Sequence, residues 1–336
     1  MKPKAIDLFA GPGGLTLGLQ TGGFDVVAAV ESDALAVKTY RANHPDVLVR
    51  HADIREVEPA ELLAELELAA SDIDLCAGCP PCQGFSSMRT LNGNKTVDDP
   101  RNDLIAEYVR FVRAILPRAI MLENVPGLLR DERFRTAAAE LEALGYPALK
   151  GTQILNAADH GVPQNRRRLV LLCVRHGTVV FPSAQATRDT VRDAIGDLGE
   201  PGESGDALHD LAERRSDRVM AMIKAIPEDG GGRLDLPTDQ QLKCHENFTG
   251  FKDVYGRMSW DRPAPTITGG CHNPSKGRFL HPEAHRAITL REAALLQGFP
   301  ANYTFALDRG KLAAAAMIGN AVPPPLAAAQ ASAVAR

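Results

Sequence analysis

Positive charge is not in excess in this chain: 38 Lys and Arg against 42 Asp and Glu leave a formal charge of −4. That excludes a globally basic surface, so any contact with nucleic acid has to come from a local basic patch. No apolar run reads as long enough to cross a bilayer. The start, Met1-Lys2-Pro3-Lys4, leads straight into the strand-like Ala5-Ile6-Asp7-Leu8-Phe9 with no cleavable apolar segment. These absences predict a protein of the cytoplasm or of a nucleoid within it, with no membrane partner. The six cysteines, three of them crowded at Cys76, Cys79 and Cys82, do not resemble a secreted disulfide framework and fit free thiols in a reducing compartment. No internal repeat is visible. With 44% hydrophobic residues in 336, the chain can nevertheless bury a large core, and its length predicts one main domain and a smaller second one.

From the start to about residue 175, short apolar strands alternate with amphipathic helical stretches. The strands are expected near 4–9, 25–30, 47–50, 73–77, 118–122, 148–155 and 168–174, and the alternation predicts a parallel α/β sheet. The helical reading from Asp103 to Ile115 carries Leu104, Tyr108, Phe111, Val112 and Ile115 at three- and four-residue spacing, a stripe that faces a core. Residues 176–288 are richer in Gly, Pro, Asp and Arg, include Gly230-Gly231-Gly232, and show only isolated helical pieces such as Leu211 to Ile226. A second, irregular domain is expected there. A helix returns at Thr289 to Gln297, with Thr289 as N-cap and Glu292 completing a capping box. The stretch from 289 to 336, including Leu312 to Ile318, is expected to rejoin the first domain, 1–175.

Strand one meets helix one through Asp7-Leu8-Phe9-Ala10-Gly11-Pro12-Gly13-Gly14-Leu15, and the second strand ends on Glu31. Glycines there let backbone approach a ligand, and an acid at the end of the second strand suits ribose hydroxyls, so a nucleoside cofactor is implied. The spacing is not Gly-x-Gly-x-x-Gly, and no arginine stands beside Glu31 for a phosphate. Asp53, followed by Ile54, suits an adenine amine. The pattern favours an adenosine without phosphates, such as S-adenosylmethionine.

After the apolar run Ile73 to Ala77 comes Gly78-Cys79-Pro80-Pro81-Cys82-Gln83-Gly84-Phe85-Ser86. A strand that ends in a stiff, glycine-flanked turn can hold one thiol in a fixed direction, which makes Cys82 the candidate nucleophile. The rival reading is a metal site at Cys76, Cys79 and Cys82. It would need a distant fourth ligand from Cys173, Cys244 or Cys271, and no metal is expected. The next strand ends on Glu123-Asn124-Val125-Pro126-Gly127, and strand ends in a parallel sheet converge on one crevice, so Glu123 is expected to face the same ligand as Cys82. Arg166 and Arg168, at alternate positions before a further strand, are expected to point the same way and to form a fork for a carbonyl oxygen or phosphate.

Taken in order, these blocks resemble the DNA cytosine-5 methyltransferase family. They are Phe9 to Gly14, Glu31, Asp53-Ile54, Pro80-Pro81-Cys82-Gln83, Glu123-Asn124-Val125, Gln164-x-Arg166-x-Arg168, Arg291-Glu292 through Gln297-Gly298-Phe299-Pro300, and Gly319-Asn320-Ala321-Val322. The resemblance implies a Rossmann-like sheet with helices on both faces and a smaller target-recognition domain. It also implies an enzyme that flips a cytosine out of double-stranded DNA and methylates carbon 5 from S-adenosylmethionine. In that reading Cys82 adds to carbon 6, Glu123 holds the exocyclic amine and protonates ring nitrogen 3, and Arg168 with Arg166 binds the ring oxygen or the flanking phosphate. The cofactor site would draw on Phe9, Ala10, Gly11, Gly13, Gly14, Glu31, Ser32, Asp53, Ile54, Gly78, Pro80, Leu104, Asn320 and Ala321. DNA contacts would come from Gln83, Ser86, Ser87, Gln164 and Arg257. With no regulatory domain ahead of the catalytic one, a bacterial or phage-type modification enzyme is expected, working as a monomer beside a separate cognate endonuclease.

Two other readings compete with this one. A transfer-RNA methyltransferase branch carries Cys-Phe-Thr in the small domain, which Cys244-His245-Glu246-Asn247-Phe248-Thr249 does not match. A catalytically dead DNA-binding scaffold is opposed by the intact Cys82, Glu123 and Arg168. Trp260, the single tryptophan, is expected in the core of the small domain.

Overall fold

The computed structural model describes residues 2–81, 103–211, 213–242 and 252–335. The expected contributions of Cys82, Gln83, Ser86 and Ser87 lie outside the described residues. Seven strands, β1 (Lys4–Leu8), β2 (Asp25–Glu31), β3 (Leu48–His51), β4 (Ile73–Gly78), β5 (Ala119–Asn124), β6 (Thr152–Asn156) and β7 (Arg167–Val174), form one sheet in the order β3-β2-β1-β4-β5-β7-β6. Each falls within a few residues of its expected position. The first five are parallel, but β7 runs antiparallel to both β5 and β6, so the sheet is mixed where a parallel one was expected. The connection 157–166 is shorter than the helical crossover of roughly a dozen or more residues that a parallel pair requires.

The helices are α1 (Gly14–Thr21), α2 (Ala34–Asn43), α3 (Pro59–Glu65), α4 (Leu104–Ile115), α5 (Glu132–Ala143), α6 (Val191–Ile195), α7 (Asp217–Ala225), α8 (Leu290–Leu296), α9 (Gly310–Asn320) and α10 (Pro324–Ser332). Strand side chains alternate between two cores, as the two-residue period demands. In β5, Ile120 and Leu122 pack with α3, α4 and α5, whereas Ala119 and Met121 face the core shared by α1, α2 and α10. The amphipathic stripe of α4 buries Ile105, Tyr108, Val109, Phe111, Val112 and Ile115. Helix α1 lies so close to α10 that a Cβ on Gly18 would stand 2.4 Å from the Cβ of Ala327.

The chain divides into two compact units, Met1–His160 with Arg167–Gln185 and Val322–Arg336, and Gly161–Arg166 with Ala186–Ala321. Residues 289–321 thus cluster with the second unit, and the chain rejoins the first only at Val322, later than expected. Close packing explains the difference: a Cβ on Gly319 would lie 2.2 Å from the carbonyl carbon of Thr268, both within the second unit. In that unit α7 begins at Asp217, after Ser216 in extended backbone, so the helix expected from Leu211 is shorter. Helix α8 has the expected capping box between Thr289 and Glu292. Trp260 is buried and donates to Glu283 Oε1 at 2.6 Å, a core role as expected.

The stretch Gly310–Ser332 has the length and apolar composition of a membrane span, which the sequence reading did not register. It comprises α9 and α10, separated by Ala321-Val322-Pro323, and 61% of an 18-residue apolar window within it is buried inside the protein, as in core helices.

Candidate active site

The carboxyl ends of β3, β2, β1, β4 and β5 lie along one edge of the first unit's sheet. The turn after β1 carries positive φ at Phe9 (61°), Gly11 (55°) and Gly13 (99°). Phenylalanine in that region costs about 1 kcal/mol, so the surrounding bonds must impose it. They are Ala10 N–H to Val30 O at 3.1 Å, Gly13 N–H to Ala10 O at 3.0 Å, and Gly11 N–H to Glu31 Oε2 at 2.8 Å. The other Glu31 oxygen accepts from the N–H groups of Ser32 (2.8 Å) and Asp33 (2.7 Å). Glu31 therefore clamps the end of β2 to the glycine-rich turn. Among the described residues a Cβ on Gly11 would meet nothing within 4 Å, so backbone borders open space there. This is the cradle that a nucleoside cofactor needs, and the residues present fit the group.

Ala10, Gly13, Gly14 and Ile54 are buried, Phe9 is half-buried and Ser32 is exposed. Asp53 caps the turn 54–56, and the Arg55 guanidinium on both its oxygens (2.9 and 2.5 Å) draws its carboxyl down to about 2. Gly78 closes β4 against Leu8 and the Tyr108 ring, within 3.3 Å of where a Cβ would stand. Leu104 is half-buried at the start of α4. Asn320 and Ala321 end α9 in the second unit, the first exposed and the second buried.

Beneath the glycine-rich turn lies Asp7, whose role the sequence reading missed. It is fully buried, its Oδ2 accepts from Thr16 Oγ1 at 2.7 Å, and Tyr40 OH stands 2.7 Å from the same hydroxyl. Burial pushes the Asp7 carboxyl up to about 7. A charged residue inside an otherwise apolar strand was the available signal.

Glu123 ends β5, 3% exposed. Arg168 brings Nε to 2.9 Å from Oε1, yet among the described residues Oε1 takes no directed hydrogen bond; the contact is an ion pair whose N–H points elsewhere. Cys79 donates its thiol proton to Oε2 at 3.0 Å. Asn124 Nδ2 donates to Pro80 O at 2.9 Å, tying buried Pro80 to β5. The Cys79 contact is not legible in the sequence, where that thiol reads only as a metal ligand. Among the described residues no group of three or more His, Cys, Asp or Glu is placed to hold a metal, and Cys76, Cys79, Cys173 and Cys271 are not joined in disulfides.

Three expected contacts take other partners. Arg166 belongs to the second unit, where its guanidinium donates to the carbonyls of Ile267 (2.7 Å), Gly319 (2.8 Å) and Ala321 (3.3 Å). Arg166 and Arg168 therefore do not form the expected fork. Gln164, wholly buried, spends its amide on Leu296 O, Gln297 and the Ile267 N–H. Arg257, also wholly buried, donates to the carbonyls of Ile223, Ile226, His281, Glu283 and Ala284. Both are scaffold of the second unit rather than DNA contacts, because buried donors must be satisfied internally.

Residues 3–336 match the family described as C-5 cytosine-specific DNA methylase, and the chain belongs to that family. It is 37% identical over 340 residues to the Type II methylase M.HgiDII of Herpetosiphon aurantiacus, covering 96% of this chain and 92% of that one. It is also 37% identical over 336 residues to the Type II methyltransferase M1.HphI of Haemophilus parahaemolyticus, covering 98% and 86%. Among solved structures it is similar to a prophage-encoded E. coli protein described as a DNA modification methyltransferase, with TM-score 0.71, 26% identity and coverage of 98% and 97%. S. pombe Dnmt2 has the same fold, with TM-score 0.63 at 19% identity over 99% and 98%. The chain is a DNA cytosine-5 methyltransferase on a Rossmann-like methyltransferase fold.

Proposed function

We propose that the protein methylates carbon 5 of a cytosine flipped out of double-stranded DNA, through a covalent bond from Cys82 to carbon 6. The observation that carries the reading is the buried Glu123 carboxylate beside Arg168 at the sheet edge where β4 and β5 end. The loop that leads to Cys82 is tied to this same edge through Asn124 and Pro80.

Bound S-adenosylmethionine supplies an electrophilic methyl group. An unactivated aromatic carbon cannot attack it at a useful rate, and covalent addition divides the problem into easier steps. The Cys82 thiolate adds to carbon 6 while Glu123 donates a proton to ring nitrogen 3 and accepts from the exocyclic amine. Arg168 pairs with Glu123 and neutralises charge on the ring oxygen side. Carbon 5, now nucleophilic, takes the methyl group as nitrogen 3 returns its proton to Glu123; loss of the carbon 5 proton to a base and expulsion of the Cys82 thiolate restore the aromatic ring. Glu31, Phe9 and Gly11 would hold the adenosine, Asp53 would serve the adenine amine, and Asn320 would serve the methionine portion. The second unit reads the target sequence.

The Type II names of the relatives support a restriction–modification role, with a cognate endonuclease acting separately and the methyltransferase working as a cytoplasmic, nucleoid-associated monomer. The test is transfer of tritiated methyl from S-adenosylmethionine to duplex DNA. Cys82→Ala is expected to abolish it, and duplexes carrying 5-fluorocytosine are expected to trap a covalent adduct at Cys82, since fluorine cannot leave as a proton does. Turnover retained by Cys82→Ala overturns the assignment of the nucleophile.

A further inference from the structure

We infer that Cys79 is a positioning residue for Glu123, its thiol fixing the carboxylate so that Oε1 is the oxygen presented to the cytosine. The inference rests on the methylation reading above and deepens it. The two oxygens of Glu123 have different surroundings: Oε2 accepts from Cys79 Sγ at 3.0 Å, while Oε1, beside Arg168, takes no directed hydrogen bond. A buried oxygen with an open acceptor position is costly unless a substrate fills it.

The last torsion of a glutamate is soft and roughly two-fold, so an untethered carboxylate can exchange its oxygens. A donor held on one oxygen removes that freedom. Cys79 is itself held: its N–H donates to Leu8 O at 3.2 Å, and the carbonyl of the next residue, Pro80, accepts from Asn124 at 2.9 Å. The stiff Pro80-Pro81 pair that follows limits rotation further. The thiol thus reaches Glu123 from a backbone fixed to both β1 and β5. The charged and titratable partners of Glu123 among the described residues are Cys79 from the loop after β4 and Arg168 from β7. The arginine supplies charge, and the thiol supplies direction.

The test compares full-length wild type, Cys79→Ala and Cys79→Ser in methyl transfer to duplex DNA. Cys79→Ala is expected to lower kcat about fivefold, the worth of one ordinary hydrogen bond, with KM for DNA within about twofold. Cys79→Ser, which keeps a donor, is expected to recover most of the rate. An independent readout is the infrared S–H stretching band of Cys79, identified by its loss in either Cys79 variant and expected to move to higher frequency in Glu123→Gln. Unchanged kcat in Cys79→Ala, a serine variant no better than alanine, or a band indifferent to Glu123→Gln overturns the inference. If wild type transfers no methyl to DNA, the functional reading falls and the role of Cys79 with it. If wild type is active and only the Cys79 effects are missing, the inference alone falls.

Discussion

Arg168 stands 2.9 Å from Glu123 because β7 runs antiparallel to β5, with Asn124 opposite Leu169 and Glu123 opposite Val170. The start of β7 thereby reaches the edge where β5 ends. A parallel β7 would put its first residues, and the arginine with them, at the opposite edge.

Removing that cation leaves a buried carboxylate without its charge partner. Arg168→Ala is expected to lower the rate of methyl transfer about 100-fold, the scale of one lost electrostatic contact in a catalytic site. Arg168→Lys should recover part of the rate, since the contact is an ion pair without a directed hydrogen bond and a point charge supplies its electrostatic component. Steady-state kinetics with duplex DNA checks both; a lysine variant no better than alanine would contradict the electrostatic role.

Glu31 accepts three backbone N–H groups, from Gly11, Ser32 and Asp33. Replacing it by alanine frees the glycine-rich turn and orphans those donors. Calorimetric titration with S-adenosylmethionine should show affinity reduced by roughly 10- to 100-fold, the worth of charged hydrogen bonds.

Gly11 and Gly18 separate binding from stability. A Cβ at Gly18 would stand 2.6 Å from Pro324 O and 2.4 Å from Ala327 Cβ, so Gly18→Ala is expected to cost about 1–3 kcal/mol by overpacking. At Gly11 a Cβ has room and only the left-handed backbone resists, at about 1 kcal/mol. Gly11→Ala should therefore unfold near wild type yet bind S-adenosylmethionine poorly, because the methyl group occupies the cradle. Thermal unfolding and titration of the two variants give the comparison.

Asp7 makes stability depend on pH in an unusual direction. Its folded value of about 7 lies above the ordinary 3.8, so the folded state binds the extra proton. The stabilising contribution is complete below about pH 4 and is lost as pH rises through about 7, on the order of 4 kcal/mol. Asp7→Asn keeps the acceptor for Thr16 and removes the titration. Urea unfolding at pH 5 and pH 8 should show wild type losing stability relative to Asp7→Asn, and an unchanged difference would rule out the buried proton.

Much of this site is local and therefore readable before folding. The glycine spacing after β1, the acid at the end of β2 and the Thr289–Glu292 capping box are each written in a few consecutive residues. Arginine roles were the weak point. Arg166, Arg168 and Arg257 look alike in sequence, but the first and last are buried donors to carbonyls and only Arg168 meets Glu123. Which arginine is buried depends on segments about a hundred residues away, such as Ile267 for Arg166, and no local pattern carries that.

The strands, the cofactor turn and the family follow from the sequence, because apolar runs, turn chemistry and motif order are properties of neighbouring residues. Tertiary structure alone decided the direction of β7, the unit to which residues 289–321 belong, and the pairing of Cys79 and Arg168 with one carboxylate. These are choices among long-range partners, and burial and hydrogen-bond satisfaction settle them only when the whole chain has packed.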